Sequence, residues 1–194
     1  MLALDVSGSM SYSGCAGTPC LTPRVAAAAM SMVTARTERK HQFVAFSHKI
    51  VPLMIRSDMT LNEVLQLMKL VCSMKLLISI FFYYSRNLTL SMFSILQTEM
   101  GGTDCAQPML YAIENNLEVD VFIIYTDCET KAGCIHPSKA LKNYRDHSGI
   151  QAKLIVVAMS SNGVTIADPE DSGMLDIVGF DSAVPQVIRE FVLD

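Results

Sequence analysis

The chain lacks the signatures of several function classes, and each lack narrows what it can do. Its six cysteines, at positions 15, 20, 72, 105, 128 and 134, form no Cys-x-x-Cys pair, and its four histidines do not cluster with them. That spacing argues against a zinc site. No secretion signal follows Met1, so the cysteines read as reduced thiols in a cytoplasmic setting, with a nuclear pool as a second location. Lys and Arg total 15 against 19 Asp and Glu, a net charge of -4, and they form no dense block. The one basic cluster, Arg36 to Lys40, is broken by Glu38 and reads as a solvated helix end. A nucleic-acid-binding surface is therefore not expected on this segment. A membrane span needs about 18 or more consecutive apolar residues. The longest apolar stretch here is interrupted by Lys75, Ser79, Ser85 and Arg86, so no membrane association is expected. Asn87-Leu88-Thr89 has the form of a glycosylation sequon, which no secretion signal supports. There is no Gly-x-x-x-x-Gly-Lys phosphate loop, no Gly-x-Ser-x-Gly elbow and no Asp-x-Asp pair at the first strand, so an enzyme is not expected.

What is present suits one globular domain. The chain has 194 residues, 51% apolar and 18% charged, enough to bury a real core. Met1 to Leu4 is a short apolar run that ends at Asp5-Val6-Ser7-Gly8-Ser9-Met10. Alternate positions on an extended chain share a face, and Gly8 is expected to let the backbone turn away. Ser11 to Leu21, with Gly14, Gly17 and Pro19, reads as a loop. Thr22-Pro23 has the form of a helix start, followed by an apolar face of Val25, Ala29, Met32 and Val33. Gln42 to Phe46 and Lys49 to Leu53 read as strands joined by a tight hairpin at Ser47-His48. Thr60-Leu61-Asn62-Glu63 has the Thr-x-x-Glu form of a capping box, with Leu61, Val64, Leu65 and Met68 at helical spacing.

From about residue 70 to 96 the pattern is apolar and aperiodic. Gly101-Gly102-Thr103-Asp104 then opens a helix with Met109, Ile113 and Leu117 on one face. Val119 to Tyr125 is a nearly continuous apolar run, the mark of a strand buried on both faces, and it ends at Thr126-Asp127. His136-Pro137 starts a helix with Ala140, Leu141 and Tyr144 inward, ended by Gly149. Lys153 to Met159 is a further buried strand, followed by a turn at Ser160 to Gly163. Asp168 to Gly173 is an acidic loop, and Ser182 caps a last helix carrying Val184, Val187, Ile188 and Phe191. Strands alternating with helices imply an α/β fold: a doubly wound, mostly parallel central sheet with helices on both faces. Ligands of such folds bind beyond the carboxyl ends of the strands, where strand order reverses.

Three features point to that edge: Asp5, Ser7 and Ser9 after the first strand, Thr103 before a helix, and Asp127 after a buried strand. Hydroxyl oxygens gathered with carboxylates suit a hard divalent cation, Mg2+ first and Mn2+ second. Asp127 and Glu129 could alternatively be imagined as an acid/base pair. Residues i and i+2 beyond a strand end fit a metal shell plus a solvated loop carboxylate better. Asp-x-Ser-x-Ser, a Thr in a Gly-Gly-Thr-Asp loop and an Asp ending a strand together resemble the metal-ion-dependent adhesion site (MIDAS) of von Willebrand factor A domains. The resemblance implies that Ser7, Ser9 and sometimes Thr103 coordinate the cation directly, with Asp5 and Asp127 acting through water or through the hydroxyls. A partner's Asp or Glu would then replace a water.

Further segments narrow the resemblance. Val25 to Glu38, Gly101 to Met109, Asp120 to Thr130, His136 to Tyr144 and Ala152 to Phe180 are similar to the carboxyl-terminal von Willebrand A (vWA) domain of Ro autoantigen ribonucleoproteins. Ala-Lys-Leu-Ile-Val-Val, Ser-Asn-Gly-Val-Thr-Ile-Ala-Asp-Pro and Gly-Met-Leu-Asp-Ile-Val-Gly-Phe-Asp carry most of that specificity. The resemblance implies a parent ribonucleoprotein for non-coding RNA quality control. Its ring of helical repeats, upstream of this domain and absent here, would bind Y RNAs and misfolded small RNAs. The expected division is a single domain over residues 1–194 with a non-family insertion at about 70–98, either translated intron sequence or a genuine added helix. The competing reading is an extracellular adhesion module using the same metal site.

Overall fold

The structure is a computed structural model, and it describes residues 1–12, 14–72, 102–127, 133–160 and 166–194. Residues 73–98 of the expected insertion at about 70–98, Gly101, Cys128, Glu129 and most of the Ser160 to Gly163 turn lie outside them.

Six strands form one sheet: β1 (Leu2–Asp5), β2 (Phe43–Phe46), β3 (Ile50–Leu53), β4 (Val121–Thr126), β5 (Lys153–Ala158) and β6 (Met174–Val178). Their order is β3-β2-β1-β4-β5-β6. All neighbours are parallel except β2 and β3, which are antiparallel. The helices are α1 (Pro23–Thr37), α2 (Leu61–Cys72), α3 (Gln107–Glu114), α4 (Pro137–Ser148) and α5 (Val184–Leu193). From β1 the chain moves outward to β2 and β3, then returns to the other side of β1 as β4. Strand order therefore reverses between β1 and β4, and Asp5 and Asp127 sit at that reversal. This is the doubly wound α/β fold expected from the alternation of strands and helices.

Side-chain alternation builds a core on each face of the sheet. Leu2, Leu4, Phe43, Ala45, Ile123, Tyr125, Ile155 and Val157 pack with α1 and α2. Ala3, Val44, Phe46, Phe122, Ile124, Leu154 and Val156 pack with α3 and α4. The central strands are apolar at both parities because both faces are covered. Removing a buried Leu or Ile side chain from such a core costs about 2–5 kcal/mol.

Local signals set the starts of α1, α2 and α4 and the end of α4. Thr22 Oγ1 accepts from the Val25 amide at 3.4 Å, and Pro23 opens α1. In the Thr60 capping box the Thr60 amide donates to Glu63 Oε2 at 2.7 Å, and the Glu63 amide donates to Thr60 Oγ1 at 3.4 Å. His136 caps α4, and Gly149 ends it with φ +73°, a conformation that favours glycine.

The structure differs from the sequence expectations in four places. It adds the strand β6, which the sequence pattern does not announce, because Met174-Leu-Asp-Ile-Val is short and carries Asp176 in its middle. Its residues are mostly half-buried at the sheet edge. On α1, Val33 is exposed and Val25 and Ala29 are only half-buried, while Ala26, Ala27, Ala28, Met30 and Met32 are buried. The run Ala26 to Ala29 carries no phase, and contacts with β1, β4, α2 and α5 enclose most of the helix. The last helix starts at Val184, after an Asp181 turn in which Oδ1 accepts from the Ala183 amide at 2.7 Å, rather than on Ser182. Gly8 has φ -61° and ψ -39°, ordinary right-handed geometry, so no glycine-only conformation turns the chain there.

Candidate metal centre

Asp5 is the last residue of β1 and is fully buried. After it the chain leaves the sheet, and Ser9–Ser11 form a single 3-10 turn. The Ser11 amide donates to the Gly8 carbonyl and the Tyr12 amide to the Ser9 carbonyl, both at 3.1 Å. Ser7 is buried and Ser9 is exposed, yet their hydroxyl oxygens lie 3.1 Å apart. The turn, rather than strand alternation, brings these two hydroxyls together.

The Asp5 carboxylate organises this loop. Its Oδ1 accepts from the Ser7 amide at 2.8 Å. Its Oδ2 accepts from Thr103 Oγ1 at 3.2 Å and from Thr126 Oγ1 at 2.8 Å. Three of the five expected residues, Asp5, Ser7 and Thr103, are thus joined by direct hydrogen bonds, and Ser9 follows through Ser7. Burial pushes the Asp5 carboxyl up to about 6, and the nearby Asp127 charge pushes the same way, against the Ser7 and Thr126 hydrogen bonds. The two carboxylates therefore share one buried edge.

Thr103 is placed by its loop. The Asp104 amide donates to the Ser47 carbonyl at 2.8 Å, tying the loop to the β2–β3 turn. Asp104 is buried; its Oδ1 accepts from the Ala106 amide at 3.0 Å and its Oδ2 from Gln107 Nε2 at 2.8 Å. This turn directs the chain into α3. Gly133 lies flat against the same carboxyl group, with φ +98°; a Cβ there would sit 2.5 Å from the Asp104 carboxyl carbon.

Asp127 follows β4 and is 7% exposed. Its backbone carbonyl accepts from Ser160 Oγ at 2.7 Å. Its Oδ1 is buried and, among the described residues, has no hydrogen-bond partner. An unmet buried carboxylate oxygen is costly. A cation, or a water held by one, would satisfy it. Among the described residues no three His, Cys, Asp or Glu side chains converge. The gathered atoms are instead three hydroxyl oxygens and two carboxylates, a donor set that fits a hard divalent ion.

Sequence reasoning missed two contributors. Thr126 is fully buried and bonds Asp5. Arg24, in the first turn of α1, is 9% exposed and donates from Nη2 to the Ser7 carbonyl at 3.4 Å. Thr126 could have been found from register: Leu4 pairs with Tyr125, which sets the next residue of β4 beside Asp5. No sequence signal singles out Arg24.

A family model described as the Ro60 vWA domain matches residues 1–76 and 71–192. The chain is 45% identical over 192 residues to an RNA-binding protein RO60 of Caenorhabditis elegans, covering 98% of this chain and 25% of that protein. It is 41% identical over 191 residues to an RNA-binding protein RO60 of Deinococcus radiodurans, covering 98% of this chain and 31% of that protein. The crystal structure of the D. radiodurans RO (RSR) protein superposes with a TM-score of 0.76, over 98% of this chain and 33% of that one. This chain thus spans a quarter to a third of the length of these relatives. A fold likeness at 12% identity, TM-score 0.51, covers 98% of this chain and 43% of proximal thread matrix protein 1 from the mussel byssus, solved with a zinc-occupied MIDAS motif.

Proposed function

Given that the chain belongs to the Ro60 vWA domain family, we propose that it is the metal-binding interaction domain of an RNA-binding protein of the RO60 kind. The family assignment places it with relatives named for RNA binding rather than for catalysis. In this reading Ser7, Ser9 and Thr103 offer hydroxyl oxygens to one Mg2+, with Mn2+ as substitute. Asp5 and Asp127 hold those hydroxyls and the ion's waters. The bound cation supplies a positive, exchangeable position that takes a carboxylate from an acidic protein partner.

The observation that carries this reading is Asp127 Oδ1, a buried carboxylate oxygen without a partner among the described residues, at the reversal of strand order where Asp5, Ser7 and Thr103 meet. The Asp127 charge is felt at Asp5, so the two carboxylates belong to one electrostatic site. Y RNA and misfolded small RNAs would be held elsewhere in the parent protein, on a ring of helical repeats, consistent with this chain's acidic balance of -4. The chain would act in the cytoplasm, as one domain with an insertion at about 70–98.

Thermal melting tests the metal reading. Millimolar Mg2+ or Mn2+ raises the midpoint of the unmutated chain, by mass action on the folded state, and Asp127→Ala removes the rise. Equal melting with and without metal in the unmutated chain contradicts it. Tight Y RNA binding by this chain alone contradicts the assignment of RNA to the ring.

A further inference from the structure

Asp5 has a partner outside the five residues of the metal motif. Thr126 ends β4, beside Asp5 across the β1–β4 pair, and is fully buried. Its hydroxyl donates to Asp5 Oδ2 at 2.8 Å, closer than the Thr103 hydroxyl at 3.2 Å on the same oxygen. Its backbone carbonyl accepts from the Met159 amide at 2.8 Å, which ties the end of β4 to β5.

We propose that Thr126 is a positioning residue of the metal centre, acting on the cation through Asp5 rather than by contact. The inference rests on the metal reading above and deepens it. The chain of bonds is continuous. Thr126 fixes Oδ2 of Asp5, and Oδ1 of the same carboxylate receives the Ser7 amide at 2.8 Å. Ser7 Oγ lies 3.1 Å from Ser9 Oγ. A carboxylate pinned at both oxygens cannot rotate, so the Ser7 backbone and the two serine hydroxyls keep their spacing. Without the Thr126 hydroxyl, Oδ2 loses the shorter of its two threonine bonds. Partners that orient ligands without touching the ion characteristically govern metal affinity.

Thr126→Val keeps the shape and removes the hydroxyl; Thr126→Ala removes it without adding bulk; Thr126→Ser keeps it. Mn2+ is titrated into the full chain and its three variants, and free Mn2+ is read by electron paramagnetic resonance. Metal-free melting is recorded in parallel. Thr126→Val and Thr126→Ala should weaken Mn2+ binding roughly 10- to 100-fold, while Thr126→Ser should stay near the unmutated affinity. One folded hydroxyl-free variant suffices for the comparison. A folded Val or Ala variant with unmutated affinity, whatever its melting midpoint, assigns Thr126 to fold stability alone and overturns the inference. Loss of affinity in Thr126→Ser equal to that in Thr126→Val overturns it as well. Absence of Mn2+ binding by the unmutated chain would instead overturn the metal reading beneath it.

Discussion

Two glycines near the metal centre separate conformational need from mere presence. Gly133 has a left-handed φ of +98° and lies against the Asp104 carboxyl group, where a Cβ would come within 2.5 Å. Gly8 has φ -61°, and a Cβ added there meets nothing within 4 Å. Gly133→Ala should therefore destabilise the chain by about 1–3 kcal/mol, whereas Gly8→Ala should stay within about 0.5 kcal/mol of the unmutated chain. Urea unfolding measures both, and equal effects at the two positions would contradict the assignment. The contrast also shows what was legible residue by residue. That Asp5, Ser7 and Thr103 would meet at one sheet edge was readable, because each lies at the carboxyl end of a strand or in a loop beside one, and their hydrogen bonds join them there. How Ser7 and Ser9 meet was not readable, since a turn rather than strand alternation brings them together. Thr126 was missed for a different reason: a threonine at a strand end looks the same whether it meets a neighbour's carboxylate or only fills a pleat, until the β1–β4 register sets it beside Asp5.

At the scale of elements, starts and stops carrying local chemistry were legible. Helix α4 begins at its His136 cap and ends at Gly149 as its sequence implies, since both signals act within one turn of the chain. The edge strand β6 was not legible, because its pairing with β5 is a long-range fact that five half-buried residues do not announce. An ion pair supports that edge: Arg145 of α4 donates from Nη1 and Nη2 to the two Asp171 oxygens, and from Nε to the Ala152 carbonyl at 2.8 Å. Burial raises the Asp171 carboxyl, but the Arg145 hydrogen bonds and charge and the Gly173 amide outweigh it and hold it below the usual carboxylate range. A lowered carboxyl stabilises the fold above its unfolded value, near 4, and that stability is lost as pH falls through the folded value. Asp171→Asn should therefore cost roughly 1–2 kcal/mol at pH 7, and the difference from the unmutated chain should shrink as pH falls below about 4. Chemical unfolding across that range checks it; a difference independent of pH would show that charge is not the cause.

At the scale of the whole molecule, the sheet separates two cores and places Asp5 and Asp127, the carboxylates of the proposed metal centre, where its strand order reverses. The fold class followed from alternation alone, because strands apolar at both parities need helices on both faces. The family match comes in two pieces, 1–76 and 71–192, which overlap within the aperiodic stretch proposed as an insertion. If that stretch is an addition to the domain, replacing residues 73–98 by a short Gly-Ser linker preserves cooperative unfolding and the response to Mg2+. Loss of cooperative unfolding in the replaced chain would show instead that the stretch is an integral part of the fold.

The central claim is that Asp5, Ser7, Ser9, Thr103 and Asp127 form one divalent-cation site. Isothermal titration of Mg2+ into the purified chain, repeated with Asp127→Ala, tests it most directly. One saturable site per chain is expected in the unmutated protein, displaced by Mn2+, and its loss is expected when the Asp127 carboxylate is removed. No saturable heat in the unmutated chain, or the same isotherm in Asp127→Ala, would contradict it.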